Sequence, residues 1–418
     1  MKTLIITYYW PPAGGSGVQR WLKFVKYLQN FDVTPVVYTV ENPDYPILDT
    51  TLEQDIPKGI TVLKQPIWEP YKLASIFSKK KGTKTSAGFL GKQTSVLGKL
   101  ATYVRANYFI PDARMFWIKP SVSYLEKYLK ENDIDVIIST GPPHTTHLIA
   151  LKLKQKLGIR WIADFRDPWT EIDYFHQLPL TKRAINKHHS LEQAVLKNAD
   201  EVLVVGNTMK KSYDTFSKNV HVITNGFDGE IASTKELDKE FTITHVGMLN
   251  ADRNPIVLWK ALASIKQTVP FKLQLIGKVA NEVLQSIQDF GLTNYVEVID
   301  YLPHATVKEY QQKSQVLLLA INKVPSAKAI VTGKIFEYLQ AQRPIVGIGP
   351  IDGDLAQILK DANAGTVVDF EDEETLKQCI LNLFAKFTEG KLQVNSQGVS
   401  QYHRRALTQK LATLIKAN

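Results

Sequence analysis

The sequence contains a single cysteine, Cys379, in 418 residues. That excludes a disulfide framework and a cysteine-rich zinc site, and its place in the helical pattern 376–384 reads as core packing. No apolar run approaches the roughly 18–20 residues that span a bilayer. The first one, residues 4–6, is too short for a signal peptide and runs into two tyrosines, a tryptophan and two prolines. The expected location is the cytoplasm, on or off a membrane surface. Short-period repeats and low-complexity tracts are also missing. Apolar residues make up 44% and charged residues 22%, a globular balance that excludes disorder of the chain as a whole. The length fits two domains, each able to bury a core.

Acidic residues are absent from one long stretch. Residues 70–111 hold eight basic residues (Lys72, Lys79, Lys80, Lys81, Lys84, Lys92, Lys99 and Arg105) and no Asp or Glu. Residues 1–200 carry 27 Lys/Arg against 18 Asp/Glu, net +9, which leaves +1 of the total +10 for residues 201–418. Tyr71, Phe77, Phe89, Tyr103, Tyr108 and Phe109 are interleaved with the basic residues. That mixture suits an anionic lipid surface, at about 1 kcal/mol per Lys/Arg near it. A solvated loop is the alternative. No nucleic-acid recognition motif accompanies the charge, so no nucleic-acid partner is expected.

Strands alternate with helices along almost the whole chain. Strands are expected at 2–8, 33–40, 135–139, 159–164 and 201–205. A second series follows at 241–246, 272–276, 295–299, 316–321, 344–348 and 366–368. Helical patterns lie between them, among them 18–30, 145–157, 181–197, 256–266 and 333–342. Such alternation predicts an α/β protein of two doubly wound domains with parallel sheets covered on both faces. The polar segment 228–240 reads as the linker. The expected division is 1–227, the linker 228–240, a second domain 241–395, and a terminal segment 396–418. The cleft between two such domains is the default ligand site.

Six short stretches carry chemistry. The loop after the first strand holds Gly14, Gly15 and Gly17, which let backbone approach a phosphate or sugar, or simply make a tight turn. Next, His144 and His147 lie three apart at a helix start. They suit hydrogen bonding or base work, or are plain helix-surface histidines, and further metal ligands at suitable spacing are missing. In the run 163–169, Asp164, Arg166, Asp167 and Trp169 are costly together unless paired or used. Arg166 suits a carboxylate or phosphate and Trp169 a sugar face; a structural Arg–Asp pair is the alternative. Asn225 and Gly226 form a turn that reads as a hinge or as a ligand contact from it. Gly247 ends the first strand of the second half, and Arg253 follows where it can neutralise a diphosphate.

The sixth stretch, 326–350, is the most informative. Gly333 opens a helix and leaves free N–H groups for an anion, which the helix dipole favours. Lys334 adds charge, and Glu337, on the same face one turn on, accepts from a diol. This is a holder for the diphosphate and ribose of a nucleotide.

Taken in order and spacing, Gly14 and Gly15, the run 164–169, Asn225 with Gly226 and Asp228, Gly247, and Lys334 with Glu337 before Pro344 resemble the family 4 nucleotide-sugar glycosyltransferases of GT-B fold. The resemblance covers nearly the whole chain. It implies an N-terminal acceptor domain, a C-terminal donor domain, and a last helix crossing back to the N-terminal domain. It also implies transfer with retention, no metal, no cofactor beyond the nucleotide-sugar substrate, and a glycan or lipid-linked acceptor. On this resemblance His144, Arg166 and Asp167 are the catalytic candidates. Gly14, Gly15, Asn225, Gly247, Arg253, Gly333, Lys334 and Glu337 are the donor candidates, with Lys323 and Lys328 near the phosphate position. The sequence departs from better-known members in four places. Ala329 stands where the family's first signature glutamate is usual, and Met248 where an arginine is. Asn254 replaces a usual lysine and Thr140 a usual histidine. An epimerase of the same fold and a non-catalytic relative are the competing expectations.

Overall fold

The computed structural model describes residues 1–69, 96–232 and 236–417. The chain forms two compact units. One is Met1–Thr224 together with Arg404–Asn418, and the other is Asn225–His403.

The first unit is a seven-stranded sheet in the order β3-β2-β1-β4-β5-β6-β7. Its strands are β1 Lys2–Ile6, β2 Thr34–Val40, β3 Thr61–Gln65, β4 Val136–Gly141, β5 Arg160–Phe165, β6 Glu201–Val204 and β7 Val220–Val222. All six pairings between these strands are parallel. A parallel sheet is covered on both faces, so its central strands are apolar runs rather than alternations. Leu4, Ile5 and Ile6 of β1 and Val136, Ile137 and Ile138 of β4 are accordingly all fully buried. The strand order reverses between β1 and β4, where a doubly wound sheet opens its ligand crevice at the carboxyl ends.

The terminal helix Arg404–Lys416 belongs to this first unit. Leu407, Leu411 and Ile415 sink into its core. Arg160 donates to the carbonyls of Ile415 and Leu414 at 2.7 and 2.9 Å. A guanidinium there satisfies the orphan carbonyls of a helix end and complements its dipole.

The second unit is a six-stranded parallel sheet in the order β10-β9-β8-β11-β12-β13. The strands are β8 Thr242–Val246, β9 Lys272–Ile276, β10 Val296–Ile299, β11 Val316–Ala320, β12 Ile345–Ile348 and β13 Gly365–Val368. Its order reverses between β8 and β11. Two apolar layers sandwich the sheet, one around Trp259 and Leu262, the other around Phe336 and Leu339. Cys379 is half-buried against the first layer. Residues 225–232 and 236–240 cluster with this unit. No helix among the described residues is long and apolar enough to cross a membrane.

Candidate functional site

The second unit gathers its polar side chains at the carboxyl end of β8. The strand ends at Val246, and Gly247 turns with φ +110. Gly277, after β9, turns with φ +119, and a Cβ there would stand 3.1 Å from the Gly247 carbonyl. Side chains are excluded from this spot by backbone conformation and by space. What rests on Gly247 instead is Lys334. A Cβ on Gly247 would lie 2.2 Å from the lysine Nζ.

Lys334 is the first residue of the helix Lys334–Ala341, whose N-cap Gly333 makes no side-chain cap bond. The Thr332 Oγ1 beside it is buried with no partner. Among the described residues the Lys334 ammonium has neither an ion pair nor a hydrogen bond. Burial, and then repulsion by Arg253, push its pKa down to about 7, against a smaller pull from Glu337. Arg253 is held in place by Asn322 Oδ1 at 2.9 Å and the Met248 carbonyl at 3.1 Å. Two cations and a helix start with no side-chain cap thus converge on a glycine turn. That combination favours a multiply charged oxyanion.

Glu337 stands one turn further on, half-buried. It accepts from Gln311 Nε2 at 3.3 Å and faces His304 Nε2 at 3.4 Å. Burial raises its pKa, but His304, Gln311 and Lys308 outweigh that and hold the carboxyl below its ordinary value. An ionised carboxylate with spare lone pairs beside a cation pair suits a sugar diol. His304 and Gln311 were not legible in the sequence, since they reach Glu337 from another helix, 33 and 26 residues away. Lys323 and Lys328, expected near the phosphate position, instead pair with Glu371 at 2.6 Å and Asp352 at 2.5 Å on the surface.

In the first unit the expected residues lie around the carboxyl ends of β4 and β5. His144 and His147 are not surface histidines: their relative exposures are 7% and 0%. The His144 ring stacks on Trp169 with centroids 4.5 Å apart and planes 1° apart. Burial first, then the neighbouring His147, His188 and Arg166, drive its pKa well down, so the imidazole is neutral at physiological pH. Burial likewise pushes His147 to about 3, against a smaller opposing pull from Asp164. Trp169 is a core residue whose Nε1 donates to His188 Nδ1 at 3.0 Å.

The two aspartates of 164–167 separate sharply. Asp164 is fully buried and binds Arg20, not Arg166, at 2.9 Å. It also accepts from Trp21 Nε1 at 2.6 Å and Thr140 Oγ1 at 2.9 Å. Arg20 in turn donates to the carbonyls of Ile223 and Thr224, both at 2.8 Å. Arg166 spends its guanidinium on the backbone carbonyls of Gly17, Pro142 and Gly141. Asp167 is exposed. In the glycine loop, Gly14 packs closely, since a Cβ would come within 2.8 Å of Ile47. Gly15 takes φ +89 in open space and caps the helix Ser16–Leu28. Asn225 opens the second unit and is half-buried.

Comparison with known proteins gives matches on both units. Residues 89–230 match the model described as Glycosyltransferase Family 4, and residues 240–386 that of Glycosyl transferases group 1. A Campylobacter jejuni relative, an α-1,4-N-acetyl-D-galactosaminyltransferase acting on a glycan carried by PP-undecaprenol, is 24% identical over 184 residues. The match spans 42% of this chain and 48% of the relative. Among solved structures, the lipopolysaccharide outer core galactosyltransferase WaaB, in apo form, superposes with a TM-score of 0.61 at 14% identity, covering 100% of both chains. HepE of Anabaena in complex with UDP does so with a TM-score of 0.60 at 13% identity, covering 99% of this chain and 95% of that one. At such identities the likeness to these structures concerns the fold.

Proposed function

The chain belongs to the family 4 type of GT-B glycosyltransferases, and on that footing we propose that it moves a sugar from a nucleotide-sugar donor to a lipid-linked or cell-surface glycan precursor. The observation that carries the proposal is the Lys334 ammonium lying on Gly247 beside Arg253, at a helix start with no side-chain cap. In this reading Lys334, Arg253 and the N–H groups from Gly333 onward take the donor diphosphate, and Glu337 takes the ribose diol. Gly247 leaves the room, and Asn225 is a further donor-side contact. The acceptor class follows the C. jejuni relative, whose substrate is a diphosphate-linked polyprenyl glycan.

The chemistry is a retaining transfer without a bound metal or cofactor. The bond from the anomeric carbon to the diphosphate breaks, one to an acceptor hydroxyl oxygen forms, and the proton of that hydroxyl passes to the departing diphosphate. Charge develops on the departing diphosphate, where Lys334, Arg253 and the helix dipole stabilise it. On the acceptor side His144, neutral and buried, is the hydrogen-bonding group, with Arg166 and Asp167 as the other catalytic candidates. Incubation with a panel of nucleotide sugars tests the reading. Transfer or slow hydrolysis of at least one supports it, and no binding and no hydrolysis of any would sink it.

The depressed pKa of Lys334 gives the site a pH signature. Below about pH 7 the ammonium is present, and above it the free site loses the proton. A bound anion favours the ammonium, so binding above pH 7 takes up a proton. Affinity for inorganic pyrophosphate is then expected to fall by up to about tenfold per pH unit above 7, relative to a Lys334→Met variant. Comparing the two proteins cancels the ligand's own titration. Parallel pH profiles in calorimetry would contradict the assignment.

The protein is further proposed to work from the cytoplasm at the inner membrane face. The helix Val96–Tyr108 supports this, exposing Leu100, Tyr103, Val104 and Tyr108 beside Lys99 and Arg105. Trp68 and Phe116, stacked edge to face at 4.7 Å, are exposed as well. The basic stretch 70–95 lies outside the described residues. Leu100→Glu with Tyr108→Glu is expected to cut co-sedimentation with phosphatidylglycerol vesicles about tenfold or more, as two exposed apolar groups that would enter the lipid surface become charges. Wild-type protein that leaves such vesicles unbound would exclude the membrane role.

A further inference from the structure

The second sheet opens where its strand order reverses, and one side chain stands in the opening. β8 and β11 pair only through Ile243 with Val316 and Thr244 with Leu317. Further along, the Val246 N–H on β8 and the Leu318 carbonyl on β11 are bridged by the Tyr338 hydroxyl. It accepts from Val246 N at 2.9 Å and donates to Leu318 O at 3.3 Å. A hydroxyl does both at once, so it substitutes for a ladder bond while keeping the strands apart. His245 Nδ1 reaches the same carbonyl at 3.1 Å. A carbonyl only accepts, so Nδ1 carries the proton and Nε2 is a bare acceptor, buried and without a partner. Both Tyr338 and His245 are fully buried.

Tyr338 lies one turn after Lys334 on the same helix, so the two side chains share a face. The hydroxyl binds Val246, and the lysine rests on Gly247, the next residue. Two adjacent points of the helix are thereby fixed to two adjacent residues of β8. A phenylalanine would fill the same apolar space without this bond.

We infer that Tyr338, braced by His245, is a positioning residue for the anion site: its hydroxyl wedges β8 from β11 at the crevice and holds the helix so that Lys334 lies on Gly247. The inference rests on the reading of Lys334 as a diphosphate contact and adds the device that places it. The charged neighbours of Lys334 are Arg253 and Glu337, and His245 beneath is kept neutral by burial and by Lys334 itself.

The test is calorimetric titration with inorganic pyrophosphate from pH 6 to 9, using wild type, Tyr338→Phe and Lys334→Met. For Tyr338→Phe, with unchanged circular dichroism, the Kd should rise about tenfold, as one buried hydrogen bond is lost. The midpoint of its pH dependence should also move upward, because a lysine freed from its seat is better solvated. A merely structural tyrosine would lower the melting temperature and leave that midpoint in place. Unchanged Kd and midpoint in Tyr338→Phe, with binding lost in Lys334→Met, overturns this inference alone. Full binding by Lys334→Met overturns the diphosphate reading and this inference with it. If Tyr338→Phe does not fold, His245→Leu serves: a rise of about threefold with a displaced midpoint is expected from losing one of two donors to Leu318, and no change overturns the inference.

Discussion

Gly247→Ala is expected to lower the affinity for a nucleoside diphosphate at least about hundredfold, or about 2.8 kcal/mol, while the second unit stays folded. Two effects add. At φ +110 a Cβ strains the backbone by about 1–2 kcal/mol. It would also stand 2.2 Å from Lys334 Nζ and 2.4 Å from Cε. Those atoms are the far end of a flexible chain, so the lysine moves aside and the fold survives. The site loses its cation and part of its floor together. Calorimetry and a thermal melt on the same sample check this. Near-wild-type affinity would mean that the lysine does not act from the position it holds here.

The second large effect concerns stability. Asp164→Ala is expected to destabilise the first unit by about 3–5 kcal/mol, the range for a buried ion pair deprived of one partner. Removing the carboxylate leaves Arg20 charged at 2% exposure, deprived of its buried counter-charge although it keeps the Ile223 and Thr224 carbonyls and the Phe24 ring. It also strands the Trp21 indole N–H and the Thr140 hydroxyl. Asp164→Asn keeps an acceptor and should cost less. Trp21 reports on the site, so urea unfolding followed by tryptophan fluorescence is the measurement, read on the first transition of a two-unit chain. Burial raises the Asp164 pKa, but Arg20, Trp21 and Thr140 outweigh it and hold the carboxyl below its ordinary value. Its stabilisation is therefore present above the unfolded-state pKa, near 3.9, and is lost as the pH falls through the folded one. The alanine variant should show a flatter acid limb. A loss below about 1 kcal/mol would place the pair among interactions that the fold can spare.

The strands were legible because buried parallel strands are unbroken apolar runs, and eleven of the expected positions coincide with strands to within two residues at either end. Among the described residues, the two strands that escaped are the edges of the first sheet. β3 Thr61–Gln65 is half-exposed and carries Lys64, and β7 Val220–Val222 has three residues. Neither offers a run long or apolar enough to stand out.

Lys334, Glu337 and Gly247 could be read because helix periodicity and a strand-ending glycine are local signals. The arrangement around Asp164 could not. The nearby Arg166 looked like its partner, whereas the true one, Arg20, comes from 144 residues upstream, on the helix Ser16–Leu28. His144 was read correctly as sitting at a helix start, but its burial against Trp169 is tertiary. Tyr338 left no trace in the sequence, since its hydroxyl acts between two strands that only the sheet order makes neighbours.

The proposed diphosphate site is the Lys334–Gly247–Arg253 turn. It is tested most directly by titrating the wild-type protein and Lys334→Met with UDP, GDP, ADP and dTDP. Wild type is expected to bind at least one of them with a stoichiometry of one, and Lys334→Met to lose most of that affinity. Wild type that binds none of the four, or a Lys334→Met protein that binds as tightly as wild type, would contradict it.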